Sequence, residues 1–432
     1  MMHRRFRTRC RRTLQCCWAP RMTELRSITT GIYDCEHKTA PQAAIGHPLI
    51  RTPNIGRGRF LLTGVQRVSD DTYSQWTRRA VPRGGDLILA REAPVGGVAL
   101  IPDGLNPVLG QRTVLIRPHH TKVSAHFLNY VLNGPEVQST FAGQAGGSTV
   151  PHLNLSDIRA LRFSSLPDLK TQRKIATILS AYDDLIENNQ RRTAILEQAL
   201  RASFDHWFDW DTAADLAQAI GQRVGDVVTD VRQSVLPGSV DEGTPYLGLE
   251  HLPRRQLTIE EAGDPRSVSS TKLRFEKGDV LFGKIRPYFH KVALAPFAGI
   301  ASSDIIILRP RLLRQSAFVA ALLSSDKLVA HAVATSQGTK MPRANWDVVA
   351  QLMLPAHSAK RVSEFEDLMA PKLRTLETLA SMNRSLNSQR SLLLPKLVAG
   401  QIELADINVD ASRVEERELA WQQTGIANQG GL

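Results

Sequence analysis

The chain has 432 residues, of which 42% are hydrophobic and 22% are charged, a composition that excludes collagen-like, membrane and generally disordered proteins. At this length two or three domains with separate cores are expected instead of one. The formal net charge of +12 includes seven arginines near the start of the chain, and removing them leaves +5: Arg4, Arg5, Arg7, Arg9, Arg11, Arg12 and Arg21. Bulk charge alone is therefore a weak argument for a polyanionic partner.

Residues 1–21 are predicted to form a disordered basic tail, because LQCCWAP is too short and too polar for the apolar segment of a signal peptide. The alternatives are a start-site artefact, with Met22 as the true start, and a nucleic-acid-binding arm. Cys10, Cys16, Cys17 and Cys35 all lie near the N-terminus, so no disulfide framework is expected and a reducing cytoplasm fits. Cys35 and His37 lack the second ligand pair that a zinc site requires, and no stretch is long enough for a membrane span.

The sequence then repeats itself once, in the same order of motifs. GDLILAREAPVGGVALIP, from Gly85 to Pro102, indicates a strand, a turn and a second strand, and GDVLFGKIRPYFHKVALAP, from Gly278 to Pro296, repeats that pattern. GGSTVPHLN at 146–154 and QGTKMPRAN at 337–345 follow in their respective halves, and each leads to a Leu-Pro pair. The repeat predicts two domains of one fold.

Within each half, short strands and helices are predicted. The strands are ILARE at 88–92, TVLIRP at 113–118, DVLFGKI at 279–285 and SDIIILRP at 303–310, and helical patterns cover 126–132 and 317–333. This mixture predicts an α/β (α+β) fold with two pseudo-repeated domains rich in twisted antiparallel sheet. The predicted divisions are a tail at 1–21, a first domain at 22–165, a helix at 166–210, a second domain at 211–354, a second helix at 355–405 and a loosely ordered tail at 406–432.

Each Leu-Pro pair is followed by a long helical pattern, and the first has neither Pro nor Gly from Asp168 to Phe208. Steps of three and four residues predict coiled-coil seams through Ile175, Leu179, Tyr182, Ile186 and Leu196 in the first helix and Leu376, Leu379, Leu386 and Leu393 in the second. Two matched seams favour mutual pairing as an antiparallel coiled coil, with Asn189 and Asn383 as polar seam residues. Each helix packing separately on a globular core is the alternative.

The second seam is less regular than the first. Lys372 and Arg390 interrupt its apolar face, and Pro371 removes a helical hydrogen bond, which predicts a kink or a restart of the helix at that residue. Gly400 is predicted to end the element.

No catalytic constellation emerges from the sequence. Gly278 to Lys284 has the GxxxxGK spacing of a phosphate-binding loop, but Ile285 stands where a Ser or Thr should bind Mg²⁺, and the residues between are typical of a strand. No methyltransferase, nuclease or metal-site motif is found, so we expect no catalytic and no metal-binding residues. A binding role is favoured over an enzymatic one.

Local basic clusters suggest DNA as the ligand, because Lys and Arg contact phosphates and guanine edges. The predicted DNA-binding residues of the second half are Lys284, Arg286, Tyr288, His290, Lys291, Lys340 and Arg343. Weaker counterparts in the first half are Arg57, Arg59 and Arg91. Each residue taken singly is as readily explained as a solvated surface charge.

LPDLKTQRKIATILSAYDDLIENNQRRTAILEQALRASFDHWF, from Leu166 to Phe208, resembles the first conserved helix of type I restriction-modification specificity subunits. SLLLPKLVAGQIEL, from Ser391 to Leu404, is similar to the end of their second helix, and TGIYDCEHKTAP, from Thr30 to Pro41, to an opening of their first recognition domain. The resemblance covers about residues 23 to 405. It departs from the family at His357 to Arg361, where a Gln-Arg or Gln-Lys pair is common, and at Pro371.

The resemblance implies a non-catalytic DNA-binding subunit whose two target recognition domains each dock in the major groove on one half of a split target. Its partners would be double-stranded DNA, modification (methyltransferase) subunits on the outer helix surfaces and restriction (motor-nuclease) subunits. S-adenosylmethionine, ATP and Mg²⁺ would then be bound by partners and not by this chain. At 1.5 Å per residue, a helix of about 37 residues spans about 55 Å, an upper bound of about 16 base pairs between the half-sites.

Two alternatives remain from the sequence. One is a free-standing DNA-binding regulator, whose outer helix faces would be merely solvated. The other is a nuclease or methyltransferase with unrecognised motifs.

Overall fold

A computed structural model describes residues 22–146, 151–163, 166–208, 222–236, 239–354, 357–404 and 407–427. The chain divides into two compact units: unit 1 comprises 1–181 and 390–432, and unit 2 comprises 182–389. The basic tail predicted at 1–21 lies outside the described residues. The predicted domain boundaries are not tested by this division and stay predictions.

Unit 1 contains nine described strands and four short helices before the first long helix. The strands are β1 Thr23–Glu24, β2 Thr29–Asp34, β3 His47–Ile50, β4 Arg67–Val68, β5 Leu87–Ala90, β6 Val98–Leu100, β7 Val108–Leu109, β8 Thr113–Pro118 and β9 Arg162–Phe163. The helices are α1 Asp70–Trp76, α2 Ala125–Asn133, α3 Pro135–Ala145 and α4 Leu155–Arg159, followed by the long helix α5 Leu169–Trp207.

The central sheet of unit 1 has the strand order β2-β8-β5-β6, with every neighbouring pair antiparallel. Alternation along β5 explains its two buried faces: Leu87 and Leu89 belong to one apolar cluster with Phe127 of α2, whereas Ile88 belongs to another with Ile50 of β3. Helices therefore cover one face and the smaller sheet β4-β3-β7 covers the other. β1 pairs separately with β9.

Unit 2 contains eight described strands and repeats this arrangement. The strands are β10 Val228–Asp230, β11 Ser234–Val235, β12 Tyr246–Leu247, β13 Lys272–Phe275, β14 Val280–Gly283, β15 Val292–Leu294, β16 Gly299–Ala301 and β17 Ile305–Pro310. The helices are α6 Val224–Val227, α7 Ser316–Leu323, α8 Asp326–Ala334, α9 Trp346–Val349 and the long helix α10 Ala359–Val398, and the final helix α11 Ser412–Ala427 belongs to unit 1.

The central sheet of unit 2 has the order β10-β17-β14-β15, again antiparallel throughout, and packs against the second sheet β11-β13-β16-β12. Along β17, Ile306 and Leu308 face the helical cluster, while Ile305 and Ile307 face the second sheet. In both units a strand of the second sheet runs parallel to its neighbour, β3 with β7 and β12 with β16. The predicted pseudo-repeat of two mixed α/β domains is confirmed.

An ion pair between a buried aspartate and an arginine is repeated with the sheet. In unit 1 Arg117 of β8 contacts Asp86, and Arg117 Nε and Nη2 donate to the carboxylate at 2.9 and 2.7 Å. In unit 2 Arg309 of β17 contacts Asp279 in the same way, at 2.7 and 2.9 Å. Both aspartates directly follow the glycines that open the repeated sequence motif. The Gly-Asp pair common to the two motifs therefore makes an equivalent ion pair in each unit.

The predicted long helices are present, and the first is unbroken from Leu169 to Trp207. The second is also one helix, from Ala359 to Val398, so the restart predicted at Pro371 is wrong. Lys372 does not interrupt the seam, because Leu373 is the buried residue there and Lys372 Nζ donates to the Leu368 carbonyl at 2.8 Å. The helical pattern predicted at 317–333 is divided into α7 and α8, with Ser325 capping α8 through the Leu328 N–H.

The two long helices pair antiparallel. Within unit 2, Tyr182 lies opposite Gln389, Asn189 opposite Asn383, and Phe208 opposite Phe365. Within unit 1, Ile175 and Leu179 share one buried cluster with Leu397. The antiparallel coiled coil is therefore confirmed.

The burial of the nine predicted seam residues is uneven. Buried are Ile175, Leu179, Ile186, Leu376 and Leu379; half-buried are Tyr182, Leu196, Leu386 and Leu393. Glu197 is buried beside Leu196, because its carboxylate accepts the Leu257 N–H at 2.7 Å, and burial raises the pKa of this carboxyl. The buried positions of the first long helix therefore depart from the predicted seam spacing where this helix packs against the second domain.

The two seam asparagines bind each other: Asn189 Nδ2 donates to Asn383 Oδ1 at 3.0 Å, and both residues are buried. Asn383→Leu should lower the free energy of unfolding by about 1–3 kcal/mol, because it leaves the Asn189 amide buried without this partner. The double variant Asn189→Leu/Asn383→Leu should recover most of that loss, since no polar group is then left unpaired. Urea denaturation of Asn189→Leu, Asn383→Leu and the double variant measures the coupling, and additive losses in the double variant would contradict this account.

The tail predicted to be loosely ordered from residue 406 is not so in its described part, because α11 packs on unit 1. Trp421 is 4% exposed, stacks on His126 with ring centroids 5.2 Å apart, and donates its indole N–H to Asp103. Its ring lies so close to Gly84 and Gly85 that an added Cβ would come within 2.6 and 2.5 Å of ring atoms. The lack of side chains at these two glycines therefore leaves the space that the Trp421 ring occupies.

Glu418 of α11 is 1% exposed and accepts hydrogen bonds from Ser124 Oγ at 2.5 Å and Arg173 Nε at 3.2 Å. Burial alone would raise the pKa of this carboxyl, but the hydrogen bonds from His126 and Ser124 outweigh it and lower the pKa. A lowered pKa stabilises the fold above the unfolded-state pKa, and this contribution is lost as the pH falls through the folded-state value.

Glu418→Gln should therefore be less stable than the wild type at pH 7, by about 1.5–3 kcal/mol for charge-assisted hydrogen bonds. The difference should shrink as the pH falls below 4.5, the ordinary pKa of this carboxyl. Denaturation at a series of pH values measures it, with the exposed Glu416→Gln on the same helix as the control. A difference that stays constant with pH would refute the role of the ionised carboxylate.

Within the described ranges, no single helix is both long enough and apolar enough to cross a membrane. One bent pair, Leu313–Leu323 with Asp326–Ala334, meets that test by length and composition only.

Candidate nucleic-acid interface

The basic loop of unit 2 connects β14 to β15 and joins a second loop that is distant in sequence. The Arg286 N–H donates to the Pro342 carbonyl at 2.7 Å, and the Ala344 N–H donates to the Lys284 carbonyl at 2.9 Å. These backbone contacts bring the two repeated motifs of this half, the strand-turn and the 337–345 loop, to one place. Lys340 and Arg343 are both exposed on the second loop.

The backbone of the first loop is strained. Arg286 and His290 both have φ of 51°, in the left-handed region, on either side of a 3-10 turn at Pro287–Phe289. Ala93, at the equivalent position of unit 1, has φ of 42°. Left-handed residues other than glycine cost free energy and cluster at functional sites, so this loop is a candidate for binding.

Lys284 and Arg343 line one groove, together with Arg232, Gln337 and Asn345. The Arg232 side chain is 66% exposed, and its Nε and Nη2 contact Asp230 at 2.5 Å and Asp347 at 3.1 Å. The sequence analysis missed Arg232, because it follows a short strand and has no basic neighbours. We call this surface the second-domain groove.

An aromatic and a cation extend the surface beside this groove. Tyr288 is 51% exposed and meets Phe289 edge-on, with ring centroids 4.8 Å apart. The Arg254 guanidinium lies 3.9 Å from the centroid of the Phe289 ring. A cation over an aromatic face and an exposed tyrosine are both suited to contacts with a polyanion or its bases.

Two of the predicted DNA-binding residues are engaged in the fold, since His290 is buried and Lys291 is half-buried. His290 is 4% exposed, its Nε2 lies 2.9 Å from the Ser324 carbonyl oxygen, and burial lowers its pKa. Lys291 Nζ donates to the Leu249 carbonyl, and burial lowers its pKa as well. These contacts give both residues a structural role, and their contact with DNA stays a prediction that this placement disfavours.

The three candidates of unit 1 are not brought together. Arg57 and Arg59 are exposed on a short hairpin at the β6 edge of the sheet, where the Gly58 N–H donates to the Val98 carbonyl at 2.8 Å. Arg91 lies apart, with Nη1 at 3.0 Å from both Asp34 oxygens and Nε at 2.8 Å from the Leu153 carbonyl. Arg91 is thus engaged in the fold, which disfavours the predicted DNA contact.

Comparison with known proteins gives a consistent result. The family model for the type I restriction modification DNA specificity domain matches residues 50–198. The MjaIX specificity subunit of Methanocaldococcus jannaschii is 23% identical over 372 residues, covering 81% of this chain and 84% of that protein. The HindI specificity subunit of Haemophilus influenzae is 28% identical over 176 residues, covering 40% of this chain and 38% of that protein. The crystal structure of the type I S subunit from M. genitalium matches the fold with a TM-score of 0.53 at 17% identity, covering 87% of this chain and 95% of that one.

By sequence and by fold, the chain is therefore similar to type I specificity subunits over most of its length. The repeated domains and the antiparallel helices of this chain therefore have a counterpart in the fold of the M. genitalium S subunit.

Among the described residues, one cluster of possible metal ligands is used by the fold. Ligand atoms of Asp34, Cys35 and His37 lie within 4.8 Å of one another. The Asp34 carboxylate is already engaged by Arg91 and lies 2.9 Å from His37 Nε2. These contacts explain the cluster as a structural network.

Proposed function

We propose that this chain is a DNA specificity subunit that selects a bipartite double-stranded DNA target, with one recognition domain for each half-site. The observation that carries the proposal is the duplicated sheet, β2-β8-β5-β6 and β10-β17-β14-β15. The second copy presents a groove lined by three cations, Arg232, Lys284 and Arg343, beside two aspartates, Asp230 and Asp347. Phosphate contacts by Lys and Arg give affinity, and contacts with base edges give sequence preference. Two domains of one fold suit a target with two separate halves.

We further propose that modification subunits bind the outer faces of the long helices, and that restriction subunits join the complex. Exposed apolar side chains on the long helices support binding of the modification subunits, because such side chains are suited to a protein interface. Leu185, Ile195 and Met382 are 52, 65 and 49% exposed. A free-standing regulator needs no such residues, since its outer helix faces would only meet water. S-adenosylmethionine would be bound by the modification subunits, and ATP and Mg²⁺ by the restriction subunits, for adenine methylation or cleavage of cytoplasmic DNA.

A methyl-transfer assay with purified proteins tests the proposal. The chain with its modification subunit and S-adenosylmethionine should methylate plasmid DNA, whereas neither protein should do so alone. Methylation by the chain alone would support the unrecognised-enzyme alternative. Sequence-specific binding by the chain alone, without any methylation in the mixture, would support the regulator.

A further inference from the structure

Unit 1 has a polar groove that the sequence analysis did not identify. It lies where β2 has ended and β8 is about to begin. Its polar lining consists of three cations, three amides and two threonines: Lys38, Arg51, Arg112, Gln42, Gln66, Gln111, Thr39 and Thr52. Among the described residues that line it, none is acidic. Lys38, Gln42 and Gln111 are exposed, so their polar ends are accessible to a large ligand.

The fold holds the groove in a defined shape. Gln111 Nε2 donates to the His37 carbonyl at 3.2 Å, and Arg112 Nε lies 2.9 Å from Glu92 Oε2. His37 and Arg112 have φ of 52° and 66°, so two non-glycine residues at this site adopt the left-handed conformation.

The floor of the groove depends on a glycine. A Cβ added to Gly110 would lie 2.8 Å from the Ile50 carbonyl oxygen and 2.8 Å from Arg51 Cγ. Only a residue without a side chain allows Arg51 to approach the start of β8 so closely. The position of the Arg51 side chain in the groove therefore depends on close packing against the backbone at Gly110.

The position of this groove in its sheet matches that of the second-domain groove. In unit 2 the groove contains Arg232, just after β10, and Ser303, just before β17. β10 and β17 occupy the places in their sheet that β2 and β8 occupy in unit 1. Arg57 and Arg59 lie at the other edge of the unit 1 sheet, beside β6. The duplication therefore gives each domain one groove at an equivalent edge.

We infer that this first-domain groove reads one half-site of the target, which rests on the proposed function. Gln42 and Gln111 contact base edges in the major groove, because a glutamine amide can donate to and accept from adenine N7 and N6. Lys38 and Arg51 contact phosphates and set the register. This assignment moves the DNA contact of the first domain away from Arg57, Arg59 and Arg91.

The inference is tested by mapping methylated motifs in cells that produce the modification subunit and a variant of this chain. Gln42→Ala/Gln111→Ala should lower discrimination at one or more base pairs of one half-site by about 10-fold or more, and leave the other half-site unchanged. Lys38→Ala should lower methylation at all motif copies without changing the motif, since a phosphate contact is not sequence-specific. Gln75→Ala, an exposed glutamine on α1 outside the groove, is the matched control and should behave as wild type.

Gln42→Glu distinguishes a loss of base discrimination caused by a lost contact from one caused by misfolding. A carboxylate accepts hydrogen bonds and cannot donate them, so this variant should shift preference at one position towards cytosine, and an unfolded domain cannot gain a preference. A wild-type motif that persists unchanged in all the glutamine variants would overturn this inference and leave the proposed function intact. Absence of any motif with the wild-type chain would instead overturn the proposed function.

Discussion

Lys284→Ala/Arg343→Ala is expected to relax or abolish reading of one half of the target and leave the other half intact. Both side chains line the second-domain groove, and the loops that carry them are joined by the hydrogen bond from the Ala344 N–H to the Lys284 carbonyl. Each lost contact to a base edge or a phosphate costs about 1–3 kcal/mol, so binding should weaken at least about 30-fold for the pair. Methyl-transfer rates on substrates that carry one or both half-sites measure the effect.

The matched control is Lys277→Ala/Arg314→Ala, which removes two exposed cations of the same unit outside the groove. This control keeps the same loss of net charge, so it separates local contact from bulk electrostatics. Equal losses in both double variants would show that the groove has no special part in DNA binding.

Phe365→Ala is expected to destabilise unit 2 by about 3–5 kcal/mol, the range for truncation of a buried phenylalanine. Phe365 is fully buried and contacts Phe204, Trp207 and Phe208, with ring centroids 6.1, 6.1 and 5.2 Å away. These contacts fasten the second long helix to the end of the first. Urea denaturation, followed by circular dichroism, measures the loss.

Leu368→Ala on the same helix is the control, because Leu368 is 45% exposed. This substitution should lower the free energy of unfolding by less than about 1 kcal/mol. Phe365→Leu should fall between the two, since it keeps most of the buried volume. A cost for Phe365→Ala no larger than that of Leu368→Ala would contradict the proposed anchoring of the helix.

The architecture could be predicted because it depends on periodic signals. The Gly-Asp motifs that open the repeat mark Asp86 and Asp279, which make equivalent ion pairs with Arg117 and Arg309. Steps of three and four residues identified both long helices and placed Asn189 and Asn383 in the seam. The restart at Pro371 was wrong because the remaining hydrogen bonds and the packing of the helix outweigh one missing N–H.

The site was harder to predict, because its residues come together only through the fold. Gln42, Arg51 and Gln111 are far apart in sequence and belong to no motif, yet they line one groove. Local clusters were weaker guides, since the burial of His290 and the ion pair of Arg91 with Asp34 disfavour the predicted DNA contacts of both residues. Glu418 and Trp421 gave no sign of burial, because the surface that receives them comes from distant residues of unit 1.

The most direct test of the account is long-read methylation mapping of DNA from cells that produce the modification subunit with and without this chain. The account predicts a split, adenine-methylated motif only when the chain is present, with one half altered by Gln42→Ala/Gln111→Ala and the other by Lys284→Ala/Arg343→Ala. No chain-dependent motif, with both proteins produced in soluble form, would contradict the claim that this chain supplies DNA specificity.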